Sequence, residues 1–428
     1  MADSLWGRYR SVPLVYRIAA AFVVGSLLGL AVGKPAANLE PLGDLFLRLL
    51  NMLVVPLVVF TLLGGVQKLT PSRMGRIGGS VVGLYVATTA VAGLIGIAVA
   101  NLVQPGTGVT FTGGEAKSAE APSLADVFLN IVPNNPVNAF ASGDVLSIVF
   151  FTVVFGLGLT VARDTTDSED VREGIETFFR IVDGVVEGLF ELVWAVMEYG
   201  VVGVFALMAT SMATHGLGAI ASLFWLVAAI ALGVAIQILV TYLGLITYLG
   251  LGQNPLDFLR GAKDAMVTAF SIRSSSGTLP VTMRNAEEDL AIDESLYGFS
   301  LPLGATVNMD GAAVRQAITA VFAANLFGIH LGIADQVTLL ATVVLVSIGT
   351  AGVPGAGLVM LTIILTTLGL PLEVVGFVAG VDPILGRIAT MNNVTGDLAV
   401  SALAGKYNDA IDFTRGVWSG SSTAEPAD

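Results

Sequence analysis

Six apolar stretches in the first 250 residues, near 13–33, 42–67, 78–103, 143–162, 186–213 and 217–250, each reach the roughly 20 residues that an α-helix needs to cross a bilayer. In hydrocarbon every backbone N–H and C=O must find its partner inside the protein, so runs of this length fold as helices. With 54% hydrophobic and 12% charged residues and a mean hydropathy of +0.82, the chain reads as an all-α polytopic membrane protein. The first stretch is longer than the apolar part of a signal peptide, and no clear small-residue cleavage site follows it before the second begins near Leu42. It therefore reads as a first transmembrane helix.

The absence of cysteine excludes disulfides, thiolate metal sites and cysteine nucleophiles, and two histidines, His215 and His330, are too few for a histidine metal cluster. The formal charge of −13 reads as a solvated surface rather than an acidic binding tail. Arg8, Arg10 and Arg17 precede or open the first span. Lys68, Arg73 and Arg76 fill the second connection, and Arg163, Arg172 and Arg180 the fourth, whereas the alternate connections hold only Lys34 and Lys117. By the positive-inside rule the N-terminus is cytoplasmic. Residues 104–123, rich in Gly, Thr, Ser, Ala and Pro, then form an external loop, and the acidic stretch 163–174 a cytoplasmic one.

After residue 250 the regular pattern fails. Apolar segments near 264–272 and 337–348 are too short to span alone, and each is followed by a Ser/Gly/Thr/Pro string, SSSGTLP (274–280) and GTAGVPGAG (349–357), the second of which cannot continue as a helix. Each reads as a re-entrant helical hairpin. They alternate with two long helices, about 296–328 and 375–411, that carry NMDG (308–311) and NNVTGD (392–397), an order that suggests internal duplication. Paired, Gly/Pro-interrupted apolar segments point to the binding site of a secondary transporter.

These strings have the chemistry of ion and anion capture. Ser274, Ser275 and Ser276 place hydroxyls and free N–H groups at a hairpin tip, where half-helix ends attract a carboxylate, although a serine-rich turn can also satisfy its own backbone. The glycines and proline of the second string leave carbonyls free for an alkali cation, or form a flexible turn. Asp310 and Asp397 lie at membrane depth, where a carboxylate must be paired, protonated or bound to a cation; the plain alternative is a salt bridge to Arg273 or Arg315. With Asn308 and Asn393 nearby, the hard oxygen donors suit Na⁺.

With all four strings in this order, the chain resembles, over residues 13–415, the dicarboxylate/amino acid:cation symporters, the family of archaeal aspartate and mammalian glutamate transporters. The resemblance implies eight transmembrane helices plus two re-entrant hairpins in inverted repeats, assembled as a homotrimer with an elevator mechanism. The scaffold would comprise residues 1–77 and 104–213, the latter including the external loop. The transport domain would comprise 78–103 and 214–415, with hairpins at about 254–292 and 334–372, and 416–428 would be a polar tail. It also implies a cell-membrane location with both termini cytoplasmic, no enzymatic activity, no organic cofactor, no nucleic-acid partner, and two or three Na⁺ sites. One would use Gly304, Asn308, Asn393 and Asp397; another Tyr85, Thr88, Thr89, Asn308 and Asp310; a third backbone oxygens of Thr306, Met309, Ser347, Ile348 and Thr350.

The candidate substrate positions are Arg273, Ser274, Ser275, Ala312, Val353, Pro354, Gly355, Gly357, Gly386, Ala389, Thr390 and Asn393, which the resemblance implies, and Arg315, which helix geometry adds. Ser275, Asn393 and Val353 match the family. Gly386 stands where amino-acid carriers have an aspartate for the ammonium, Ala389 where acidic-amino-acid carriers have an arginine, and Ala312 where they have a threonine. Asn308, Ala312 and Arg315 follow i, i+4, i+7 spacing and so share one helix face, and Arg315 reads as a relocated anion clamp, or else as the partner of an acid elsewhere in the domain. Family members usually carry one arginine at the position of Arg273 or that of Arg387; this chain has both, and Arg387 lies about 100° round the helix from Gly386. The expectation is a sodium-coupled symporter for a small organic anion, a dicarboxylate before an acidic amino acid. The rivals are an anion channel or non-transporting sensor and, most remotely, an intramembrane serine hydrolase, for which no G-x-S-x-G elbow exists.

Overall fold

The computed structural model describes residues 9, 11–67, 71–108, 129, 132–216, 218–347 and 356–420. Among them every regular element is helical: α1 (Leu14–Val32), α2 (Glu40–Val66), α3 (Pro71–Val103), α4 (Pro136–Ser142), α5 (Val145–Thr165), α6 (Glu169–His215), α7 (Gly218–Ile236), α8 (Pro255–Ile272), α9 (Ser275–Arg284), α10 (Glu294–Val307), α11 (Asp310–Leu326), α12 (Ile333–Ser347), α13 (Ala356–Thr367), α14 (Glu373–Ala379) and α15 (Asp382–Tyr407). Among the described residues five helices are long and apolar enough to cross a membrane, and α14 with α15, bent by 81°, would make a sixth. Helix α1 packs along α6 at backbone contact: a Cβ on Gly25 or Gly29 would run into the carbonyl oxygens of Phe205 and Ala209. Small residues four apart permit such an approach, and an Arg17–Glu198 ion pair ties the same two helices.

Three expectations need correction. The acidic stretch 163–174 is not a loop, because only Thr166–Ser168 lie outside helix and α6 runs on for 47 residues. The Ser168 hydroxyl accepts from Val171 N–H, and Glu169 and Asp170 face the positive end of the helix dipole, so the acidic residues start the helix. The NMDG helix is broken: Asn308 (φ −97°, ψ 84°) and Met309 (φ −108°, ψ 49°) leave the helical region between α10 and α11. The NNVTGD helix begins only at Asp382, with Pro383 in its first turn, after the sharp bend that follows α14. Beyond α15, Gly416–Gly420 form a 3₁₀ turn that buries Trp418 completely.

That turn belongs to a strap over the end of the first hairpin. Ile411 bridges to Ile292, Asp293 N–H donates to Ala410 O, Asp412 N–H to Ala291 O, and Trp418 Nε1 to Leu290 O at 2.9 Å. The Thr414 hydroxyl and N–H donate to the Asp412 carboxylate and hold its pKa below the usual range. Trp418→Ala should lower the stability of the purified protein by about 3 kcal/mol, seen as an earlier melt with substrate positions untouched. An unchanged melting curve would mean that the strap carries no stability.

After α7 the chain continues as a π-helix, Gln237–Leu251, in which buried Gln237, Thr241, Tyr242, Ile246, Thr247 and Leu251 recur mostly every fourth or fifth residue. The wider turn puts Gln237, Thr241 and Tyr242 on the face that meets α11 and α15. Where the hairpins are expected, the described residues form two pairs of short packed helices, α8 with α9 and α12 with α13.

Candidate cation and substrate site

The break at Asn308–Met309 creates the site. It leaves the first amides of α11 without helical acceptors, and Asn393 on α15 supplies one: its Oδ1 accepts from Gly311 N–H at 2.7 Å and Ala312 N–H at 3.3 Å. Helices α11 and α15 therefore meet closely, and a Cβ on Gly311 would collide with the Ala389 carbonyl.

Asp310, fully buried at the start of α11, accepts from Thr89 Oγ1 and Tyr242 OH, each at 2.7 Å, and from Gln237 Nε2 at 3.5 Å. Asp397, 2% exposed, accepts from Asn308 Nδ2 at 2.9 Å, while Thr88 Oγ1 donates to Asn308 Oδ1 at 3.3 Å and Tyr85 OH to Ser300 O at 2.9 Å. Among the described residues neither carboxylate meets an arginine or lysine, so the salt-bridge alternative does not hold. Two buried carboxylates with neutral neighbours are stable only when protonated or joined by a cation. The donor set is all oxygen and amide, and the cradle is tight: a Cβ on Gly304 would lie 2.6 Å from both Asp397 Oδ1 and Tyr85 OH. These residues fit alkali ions. The first two expected Na⁺ groups are thus brought together, joined through Asn308. Of the third, Thr306 and Ser347 turn their hydroxyls onto their own helices, to Leu303 O and Val343 O, Met309 Sδ accepts from Asn393 Nδ2 at 3.1 Å, and Ile348 and Thr350 lie outside the described residues.

Tyr242, Gln237 and Asn392, whose Nδ2 donates to Tyr242 OH at 3.3 Å, were missed by sequence reasoning. Gln237 left a signal, as the one amide in the apolar run 217–250.

On the substrate side, Ser274 caps α9 through Gly277 N–H at 2.9 Å, leaving the buried Ser275 Oγ without a partner. Thr390 Oγ1 donates to Gly386 O on its own helix. Arg273, in the left-handed region (φ 60°), ends α8, and its Nη2 donates to Asp382 Oδ2 at 2.8 Å. Arg315 Nη2 donates to the other oxygen of the same carboxylate at 2.5 Å. Asn308 sits outside α11, so the expected single face of Asn308, Ala312 and Arg315 does not exist, and Arg315 has the acidic partner of the alternative reading. Arg387 donates to Phe270 O and Ser271 O at 2.9 and 2.7 Å and caps the carbonyl end of α8. Gly357 rests against the Arg315 guanidinium; Val353, Pro354 and Gly355 lie outside the described residues.

The chain matches the sodium:dicarboxylate symporter family over residues 14–407. Similar proteins include a proton/sodium-glutamate symport protein of Bacillus subtilis (strain 168), 34% identical with 92% of this chain and 93% of that protein covered. A proton/glutamate-aspartate symporter of Escherichia coli (strain K12) is 34% identical, with 93% and 94% covered. A C4-dicarboxylate transport protein of Rhodospirillum rubrum is 30% identical, with 94% and 90% covered. Buried carboxylates without cationic side chains, broken helices and this match agree, and the chain belongs to the sodium:dicarboxylate symporter family.

Proposed function

We propose that the protein is a secondary active, sodium-coupled symporter that imports a small dicarboxylate lacking an amino group. The observation that carries the substrate choice is the pairing of Arg273 and Arg315 with one buried Asp382 beside Gly386. The nearest acid is already shared by two guanidinium groups, so none is left to hold an ammonium, and the surplus charge favours a second acid group. Family members with glutamate in their names favour the rival, an acidic amino acid held by hairpin carbonyls.

Asp310 and Asp397 would receive Na⁺, which travels as co-substrate and cancels their charge. Ser275 and Asn393 would orient one carboxylate of the guest between the hairpin tips. Val353, Pro354, Gly355 and Gly357 would close the second hairpin over it, and Thr306, Met309, Ser347, Ile348 and Thr350 would line the third ion site. Coupling requires the sodium-loaded, substrate-free form to stay open, a difference in affinity between two states. The proposal includes eight spans with two re-entrant hairpins, the scaffold and transport domains as bounded above, a homotrimer, elevator movement, and a cell-membrane location with cytoplasmic termini.

Proteoliposomes with an inward sodium gradient should accumulate labelled succinate electrogenically, with inhibition by fumarate and malate and little by aspartate. Inhibition by aspartate alone would establish the amino-acid rival; no gradient-driven uptake of either class would leave a channel or sensor.

A further inference from the structure

Arg273 and Arg315 are 8% and 4% exposed, Asp382 is 4% exposed, and each arginine gives the carboxylate one nitrogen. The Nε of each arginine is buried without a partner. Two guanidinium groups and one carboxylate leave one positive charge inside the protein, an arrangement that is costly until an anion joins it. Gly386 and Gly357 make the room. A Cβ on Gly386 would stand 3.0 Å from Arg273 Nε and Nη2, and one on Gly357 would strike the Arg315 guanidinium, with Cζ at 2.9 Å.

The cluster lies at one end of a gap lined by small residues. Ala312 and Gly386 are partly accessible while their neighbours Ala313 and Leu385 are fully buried, so these two small residues border open space. Asn393 stands at the other end, about 10 Å of helix rise from Gly386, and its Nδ2 has only a thioether as acceptor. Arg315 follows Gly311 and Ala312, the two residues that Asn393 caps, by one turn of α11.

We propose that the Arg273–Asp382–Arg315 cluster is the receptor for the second carboxylate of the substrate, with Arg315 its contact and Asp382 an internal counter-ion that holds both guanidinium groups in place. The inference rests on the organic-anion reading above and adds the part of the guest that is selected. Asp382 occupies one edge of each guanidinium, so a guest carboxylate meets a pre-oriented donor with one unbalanced charge. Arg315→Gln removes that surplus and leaves the Arg273–Asp382 pair intact.

The test crosses protein and ligand changes, using succinate and monomethyl succinate on the purified full-length protein in NaCl, with choline chloride as control. The wild type should prefer succinate by roughly 30-fold to several thousand-fold, and Arg315→Gln should reduce that preference to about 3-fold or less, with stabilisation by Na⁺ alone unchanged. If Arg315→Gln does not fold, Arg315→Lys decides: a point charge without the fork should lower the preference roughly 10-fold, and an unaltered one overturns the proposal. A preference that survives in Arg315→Gln, or a wild type that binds both ligands equally, overturns the receptor while leaving the organic-anion carrier standing. A wild type that binds neither ligand in sodium overturns both.

Discussion

Replacing Asp310 by asparagine is expected to weaken sharply the response of the protein to sodium while preserving its fold. The carboxylate is fully buried and is held by the hydroxyls of Thr89 and Tyr242 and the amide of Gln237, all neutral. Asparagine has the same shape, and both hydroxyls can rotate to accept from its amide. The sign of the stability change follows. Without sodium the variant sheds the cost of an uncompensated buried charge and should melt at the same temperature as the parent or higher. With sodium the order reverses, because a ligand stabilises only the state that binds it. Cation affinity should fall roughly 100-fold or more. A sodium titration followed by thermal unfolding, with choline keeping ionic strength constant, measures both. A melting temperature that rises with sodium as in the parent would remove Asp310 from the cation site.

The second large effect concerns Asp382. Asp382→Ala leaves two guanidinium groups side by side in a buried position, and no other acid is paired with either among the described residues. Removing one partner of a buried ion pair costs about 3–5 kcal/mol, and here two are stranded, so the loss should reach about 5 kcal/mol. It should appear as poor yield and a melting temperature lower by several degrees. Arg315→Gln, which keeps one complete pair, should cost far less. Equal melting of Asp382→Ala and its parent would mean that water reaches the cluster and screens it.

The buried polar cluster around Asp310 and Asp397 was legible because membrane depth makes polar groups conspicuous. Asp310 and Asp397 stood in apolar surroundings, and Asn308 and Asn393 beside them. The pairs of short helices α8 with α9 and α12 with α13 were legible as apolar segments cut short by SSSGTLP and GTAGVPGAG. The fate of the arginines was not, because Asp382 lies 67 residues from Arg315 and 109 from Arg273, beyond the reach of any periodicity. The break at Asn308–Met309 carries neither glycine nor proline, so the helix seemed continuous and the face inferred for Arg315 was wrong. Tyr242 hid in an apolar run read with the α-helical period, and Trp418 in a tail whose composition says only that it is polar.

The wide winding of Gln237–Leu251 gives this segment a constraint of length as well as of content. Tyr242 reaches Asp310, and Asn392 reaches Tyr242, from a helix that fits extra residues into its turns. Deleting one residue just before Tyr242 would let the segment relax toward ordinary winding and swing every later side chain about 100° round the axis. The hydroxyl would leave the carboxylate although no ligand-bearing codon had changed. Insertions and deletions here should therefore be rarer than substitutions among the lipid-facing leucines.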